Sequence, residues 1–176
     1  MQKSSPVQQL ERLLVSVPDF PEPGILFRDL APVFADGDAF RAIVDELVSR
    51  FDGRFDAVAG VEARGFVLAA AAAYAAGVGV LVVRKAGKLP GDVLSESYQL
   101  EYGTATLELE PRRLPEASRV LVLDDVLATG GTLAATARLI ERAGYAVAGF
   151  GVLLELEELD GRDRLGGYET QSLLAL

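Results

Sequence analysis

An α/β fold, with a mostly parallel central sheet flanked by helices, is predicted by three features of the sequence. Apolar runs of strand length, such as Val78–Val83 and Tyr145–Leu154, are nearly continuous, as in strands covered on both faces. Segments between them carry apolar residues at helical spacing. The two patterns alternate, which implies parallel strands joined by right-handed crossovers. No internal repeat, low-complexity region or linker interrupts the 176 residues, so one domain spanning 1–176 is expected.

The elements follow in order. Val7, Leu10, Leu14 and Val17 recur at helical spacing, and Pro18 with Phe20–Gly24 ends that helix. Ile25–Phe34 reads as a mixed apolar and charged loop. Asp38 is the expected N-cap of the next helix. Its stripe is Phe40, Ile43, Val44, Leu47, Val48 and Phe51. Phe55–Val61 reads as a strand, Glu62–Gly65 as a turn, and Phe66–Ala76 as an Ala-rich helix closed by Gly77. Val78–Val83 is a second buried strand, ending at Arg84-Lys85.

Ala86–Ser97 holds Gly87, Pro90 and Gly91 with little apolar content, and reads as a mobile loop. Tyr98–Glu110 alternates in places and suggests a hairpin or ladder. Pro111–Ala117 is a polar connector, and Val120–Asp124 is a buried strand running into two acids. A helix from about Gly131 to Ala143 stops at Gly144. Tyr145–Leu154 is a further strand, Leu156–Gly167 a charged turn or short helix, and Tyr168–Leu174 a last strand.

Composition removes several kinds of chemistry. Without cysteine the chain has no disulfide, no Cys-ligated zinc and no thiol nucleophile. Without histidine it has no Ser-His-Asp triad, no His-ligated metal and not the commonest general base. Proton transfer falls to Asp, Glu, Lys or Tyr, and any metal would be a hard, oxygen-liganded ion such as magnesium. A net charge of -9 weighs against a nucleic-acid surface. The N-terminal stretch mixes charges into its apolar pattern, unlike a signal peptide. The longest apolar run, Phe66–Val83, is broken by Gly77 and Gly79 and reads as interior, not membrane-spanning.

The chemistry concentrates in Val120–Thr132, VLVLDDVLATGGT. A strand, an acid pair (Asp124, Asp125), a small-residue turn and a helix build an anion site. The N–H groups of Ala128, Thr129, Gly130, Gly131 and Thr132 suit a terminal phosphate, aided by the positive end of the helix. The two acids are expected at the strand end, where open α/β sheets bind ligands. They can accept from sugar hydroxyls or order the water shell of a magnesium ion. No Gly-Lys-Ser/Thr follows a strand, which excludes a nucleotide-hydrolysing P-loop.

This stretch resembles the phosphoribosyl-pyrophosphate (PRPP) motif of the type I phosphoribosyltransferases. Phe20-Pro21-Glu22-Pro23-Gly24 followed by Leu26-Phe27-Arg28-Asp29 resembles the base-binding segment of the adenine-specific members. Gly60–Phe66 resembles their pyrophosphate loop. Arg84–Gly91 and Leu100-Glu101-Tyr102-Gly103 resemble their flexible catalytic loop. The similarity runs in one order from about residue 6 to the C-terminus.

The resemblance implies the type I phosphoribosyltransferase fold. Residues 1–34 would form a small hood that binds the base, and residues 84–110 the flexible loop and hairpin. It implies purine salvage: adenine and PRPP give AMP and pyrophosphate, with Mg2+ bound alongside PRPP. Asp124 and Asp125 would hold the ribose, and Ala128–Thr132 the 5'-phosphate. Ala63, Arg64, Arg84, Lys85 and Lys88 would hold pyrophosphate. Leu26, Phe27, Arg28 and Leu156 would line the adenine pocket. Glu101 would move the proton and Tyr102 would close over the base. It further implies a cytoplasmic homodimer with small-molecule substrates, no nucleic acid and no membrane. Two alternatives stand beside this reading: a phosphoribosyltransferase for hypoxanthine, guanine or xanthine, and a non-catalytic sensor of PRPP or purines.

Overall fold

The structure is a computed structural model and describes residues 4–99 and 103–176. It divides into two compact units, Met1–Glu46 and Leu47–Leu176.

In the first unit, helix α1 (Pro6–Leu13) begins with a capping box. The Gln8 N–H donates to the Ser5 hydroxyl, and the Ser5 N–H donates to the Gln8 side chain. The helix ends sooner than its apolar spacing predicts, because Val15–Pro18 forms strand β1. It pairs antiparallel with β2 (Leu26–Asp29), from Val15↔Asp29 to Pro18↔Leu26. Helix α2 (Ala31–Ala35) follows, so the expected loop over 25–34 is corrected to a short strand and a short helix. Both are too brief to show a period, and β2 exists only through its partner. Helix α3 (Gly37–Ser49) runs from the first unit into the second. Its cap is Asp36, whose Oδ1 accepts from the Ala39 N–H at 3.0 Å, and not the expected Asp38, which lies in the first turn.

The second unit alternates as the sequence predicts. Its elements are β3 (Ala57–Val61), α4 (Arg64–Ala76), β4 (Gly79–Lys85), β5 (Leu94–Gln99), β6 (Thr104–Leu109), β7 (Arg119–Leu127), α5 (Gly131–Arg142), β8 (Ala146–Glu155) and β9 (Thr170–Ala175). Two 3-10 turns, Glu157–Leu159 and Gly161–Leu165, join β8 to β9. The described residues form a seven-stranded sheet in the order β5-β6-β4-β3-β7-β8-β9. Strands β4, β3, β7, β8 and β9 are parallel, and the β5–β6 hairpin adds antiparallel at the β4 edge. β5 begins at Leu94, inside the stretch expected to be loop. Its six residues alternate half-buried and exposed, a pattern that charged and hydroxyl side chains hide from hydropathy.

The core packs Val120, Val122 and Val152 of the sheet against Leu133, Leu139 and Ile140 of α5. Full burial of each such side chain contributes about 1.5–3 kcal/mol. On β8, Gly149 and Gly151 leave the space that Phe51 and Leu47 fill. A Cβ at Gly149 would stand 2.5 Å from the Phe51 ring, and one at Gly151 3.4 Å from Leu47. These contacts let a helix lie close against the strand.

The topology positions the site. From β3 the chain crosses through α4 to β4, and from β7 it crosses through α5 to β8 in the opposite direction along the sheet. Right-handed crossovers therefore set α4 and α5 on opposite faces. The carboxyl ends of the adjacent strands β3 and β7 flank a topological switch point, where an open α/β sheet leaves a crevice for ligands.

Candidate active site at the β3–β7 switch point

Two helix N-termini meet this crevice. On the β3 side, Val61 leads through Glu62 and Ala63 into α4, and Arg64 is the first helical residue. The Glu62–Ala63 peptide is cis. Glycines permit the close approach: a Cβ at Gly60 would stand 2.6 Å from the Gly65 carbonyl oxygen, and one at Gly65 would stand 2.9 Å from the Leu123 carbonyl oxygen. The start of α4 is thereby seated directly on β7.

The acid pair lies inside β7 and not at its end, as expected from sequence, because β7 continues to Leu127 through its pairing with β8. Pairing with β3, however, stops at Gly60↔Leu123, so both acids fall just beyond the shared ladder. Asp124 Oδ1 accepts from the Asp125 N–H at 2.9 Å. Loss of water around Asp124, together with the charge of Asp125, pushes its carboxyl well above the usual carboxylate range. Asp125 is buried and its Oδ2 lies 2.7 Å from Arg64 Nε. That oxygen accepts no hydrogen bond among the described residues.

On the far side of the acids, Ala128–Gly130 bends and α5 begins at Gly131, with Gly130 at φ +75° as its N-cap. The segment after β8 is wedged against this bend. A Cβ at Gly161 would stand 1.9 Å from the Ala128 carbonyl oxygen, and one at Gly130 would stand 2.2 Å from the Gly161 carbonyl oxygen. Tyr98 of β5 closes another side, its hydroxyl 3.2 Å from Thr132 Oγ1.

The expected basic residues gather around one acid. Lys88 Nζ lies 2.5 Å from Glu62 Oε1, and Arg84 Nε and Nη2 each lie 3.4 Å from the same carboxylate. The Lys85 N–H donates to it at 3.1 Å. The Lys88 hydrogen bond, with help from Arg84 and the Lys85 N–H, holds the Glu62 carboxyl down to about 2 against the opposing effect of desolvation. Arg84 Nη1 also donates to the Lys88 carbonyl at 3.2 Å.

Leu156 follows β8, and its N–H donates to the Leu127 carbonyl at 2.9 Å, beside the carboxyl end of β7. Leu26, Phe27 and Arg28 lie together on β2 of the first unit. There Phe27 stacks edge-on against Phe20 at 5.1 Å, and Arg28 Nη1 donates to Ser16 Oγ at 2.6 Å. Glu101 and Tyr102 lie outside the described residues.

The site offers two anion-seeking helix starts on either side of an acid pair. Its donor set is oxygen, and the Asp125 carboxylate, ion-paired with Arg64 through Oδ2, fits a hard cation or a sugar hydroxyl. Among the described residues no group of three or more His, Cys, Asp or Glu side chains forms a cage for a metal. A phosphorylated sugar with an anion at each end matches this layout.

The model of the phosphoribosyl transferase domain matches residues 35–172. The chain belongs to the phosphoribosyl transferase family. An adenine phosphoribosyltransferase of Renibacterium salmoninarum is 66% identical over 174 residues, 99% of this chain and 96% of that protein. The adenine phosphoribosyltransferase structure from Thermoanaerobacter pseudethanolicus superposes with a TM-score of 0.92 at 44% identity, covering 97% of this chain and 99% of that one. The Saccharomyces cerevisiae enzyme, solved with adenine and an imino-altritol bisphosphate, gives 0.90 at 36% identity, over 96% and 98% of the two chains. The resemblance read from the sequence is borne out, as is the mostly parallel α/β fold.

Within this phosphoribosyltransferase fold, three contributors to the site escape sequence reading. Glu62 gathers Arg84 and Lys88 from β4 and the turn after it, a pairing across 22 and 26 positions. Tyr98 and Gly161 reach the 128–132 bend only through folding. Glu62 falls inside the Gly60–Phe66 motif without a role of its own, Tyr98 opens the expected hairpin, and Gly161 shows only as a glycine inside a charged stretch.

Proposed function

We propose that this chain transfers the phosphoribosyl group of PRPP to adenine, releasing AMP and pyrophosphate, in purine salvage. The observation that carries the reading is the acid pair at the switch point, set between the starts of α4 and α5. The names of the similar proteins, with full-length identity of 66% in one of them, support adenine as the base.

Asp124 and Asp125 accept from the ribose hydroxyls. Ala128, Thr129, Gly130, Gly131 and Thr132 hold the 5'-phosphate through N–H and hydroxyl groups. Ala63 and Arg64 at the start of α4, with Arg84, Lys85 and Lys88, hold the pyrophosphate. There they stabilise the charge that develops as the C1–oxygen bond breaks. Asp124 and Asp125 would hold magnesium through its water shell, where the ion would supply neutralisation of part of that charge. Leu26, Phe27, Arg28 and Leu156 read and pack the base. Glu101 accepts the proton that the imidazole side of adenine loses as its nitrogen bonds C1, and returns it in the reverse direction. Tyr102 closes over the base and excludes water, which would otherwise hydrolyse PRPP. Positioning and charge stabilisation supply most of the acceleration.

The two units act as one phosphoribosyltransferase domain, with residues 1–34 as the base-binding segment and 84–110 as the closing loop and hairpin. The chain works as a homodimer. Exposed Val67 and Tyr74 on α4 and exposed Val80 and Val82 on β4 support self-association through this face. A cytoplasmic location suits a sugar phosphate that does not cross membranes unaided.

A panel of purine bases offered with PRPP and magnesium tests the assignment. Adenine is the base turned over. Turnover of hypoxanthine or guanine without adenine would sink the base assignment, and PRPP binding without any AMP would leave a sensor.

A further inference from the structure

The bend over 128–132 offers a phosphate only neutral groups. No Lys or Arg occurs in Val120–Ala137. The basic residues nearest in sequence are committed elsewhere: Arg119 to Asp56, and Arg138 and Arg142 to Glu96. A sugar phosphate carries up to two negative charges, and a helix N-terminus offsets only about half of one. A cation is missing from this cradle as the sequence describes it.

The fold brings one. The second 3-10 turn, Gly161–Leu165, is seated on the bend through the contact of Gly161 with Ala128, so close that no side chain fits at Gly161. Arg164 stands on this turn. A Cβ built at Gly130 would lie 3.3 Å from Arg164 Cβ, and one built at Gly131 would lie 3.8 Å from Arg164 Nη1. Its guanidinium therefore rests beside the first residue of α5. Its neighbour Arg162 is held by Glu155, which leaves the two arginines of the turn with different duties. Arg164 enters no hydrogen bond or ion pair among the described residues, in a chain with 26 acidic side chains.

We propose that Arg164 is the cation of the 5'-phosphate site. It supplies charge and a planar fork to the phosphate that the 128–132 bend cradles with N–H groups. The inference rests on the reading of that bend as the phosphate loop. It turns the charged segment after β8 from a plain connector into part of the binding site, with Gly161 as the joint that fixes its distance.

The test is calorimetry of ribose 5-phosphate and of unphosphorylated ribose with wild type, Arg164→Ala, Arg164→Lys and Thr132→Ala, alongside steady-state kinetics. Arg164→Ala is expected to weaken ribose 5-phosphate by about tenfold or more, the scale of a lost charge-assisted hydrogen bond, and to leave ribose unaffected. KM should rise for PRPP and for AMP together, with kcat and the KM for adenine near wild type. Arg164→Lys, which keeps the charge without the fork, should recover part of the loss. Unchanged ribose 5-phosphate binding in Arg164→Ala, with a loss in Thr132→Ala, overturns the role of Arg164 alone. A wild type that binds ribose 5-phosphate no better than ribose overturns the phosphate-loop reading, and this inference with it. Parallel losses for adenine and pyrophosphate would mark Arg164 as merely structural.

Discussion

Arg64 Nε lies 2.7 Å from Asp125 Oδ2, an ion pair in which that buried oxygen accepts no hydrogen bond among the described residues. The pair is an attraction of charges across the crevice, joining the first residue of α4 to the strand beside it. A carboxylate has several lone-pair sites, so Asp125 can pair with Arg64 and still accept from a ligand.

From that contact, Asp125→Asn should lower kcat/KM for PRPP by about a hundredfold, the scale seen when one preorganised charged or hydrogen-bonding group is removed from a reacting centre. Arg64→Ala should act differently, raising KM for pyrophosphate in the reverse reaction more than it raises KM for AMP. Steady-state kinetics in both directions separates the two.

Asp124 predicts a trade between stability and activity. Its folded-state carboxyl titrates well above the ordinary value of 3.8 because desolvation and Asp125 both oppose its charge. An acid shifted this way destabilises the fold as pH rises through its unfolded value, and the cost is complete above its folded value. Asp124→Asn should therefore raise the thermal midpoint at pH 8 and remove most activity. The stability advantage should vanish below about pH 3.8. Thermal melts at pH 3 and pH 8 check the sign.

Gly161→Ala places a methyl group 1.9 Å from a backbone oxygen, so the bend or the turn must move. A loss of about 1–3 kcal/mol in urea unfolding is expected, the range for overpacking. KM for PRPP should rise with it, because the displaced backbone is the proposed phosphate loop.

Glu101→Gln should reduce turnover by about 10²- to 10⁴-fold, the usual contribution of a general acid or base. PRPP binding by calorimetry should stay near wild type. Turnover near wild type would move the proton chemistry to another residue.

Much of this was legible in the sequence, for identifiable reasons. The strands β3, β7 and β8 are largely buried on both sides, so they appear as apolar runs, whereas β4, read as buried from the same pattern, leaves Val80 and Val82 exposed on one face. Helices α4 and α5 close at Gly77 and before Gly144. The acid pair and the small-residue bend are contiguous in the chain. Contiguity fails for Leu26–Asp29, which is a strand only because Val15–Pro18 pairs with it. It fails again for Asp124 and Asp125, whose place inside β7 depends on β8 extending the ladder past β3. It fails for Glu62, Tyr98 and Gly161, each of which meets its partner across more than 20 positions. Local pattern reports the elements and the motif, and long-range pairing decides what surrounds them.

The most direct measurement incubates the purified chain with adenine, PRPP and magnesium and quantifies AMP and pyrophosphate in the same sample. Equal amounts of the two, rising together and dependent on adenine, are expected. Pyrophosphate released without AMP, or PRPP bound and left intact, would contradict phosphoribosyl transfer to adenine.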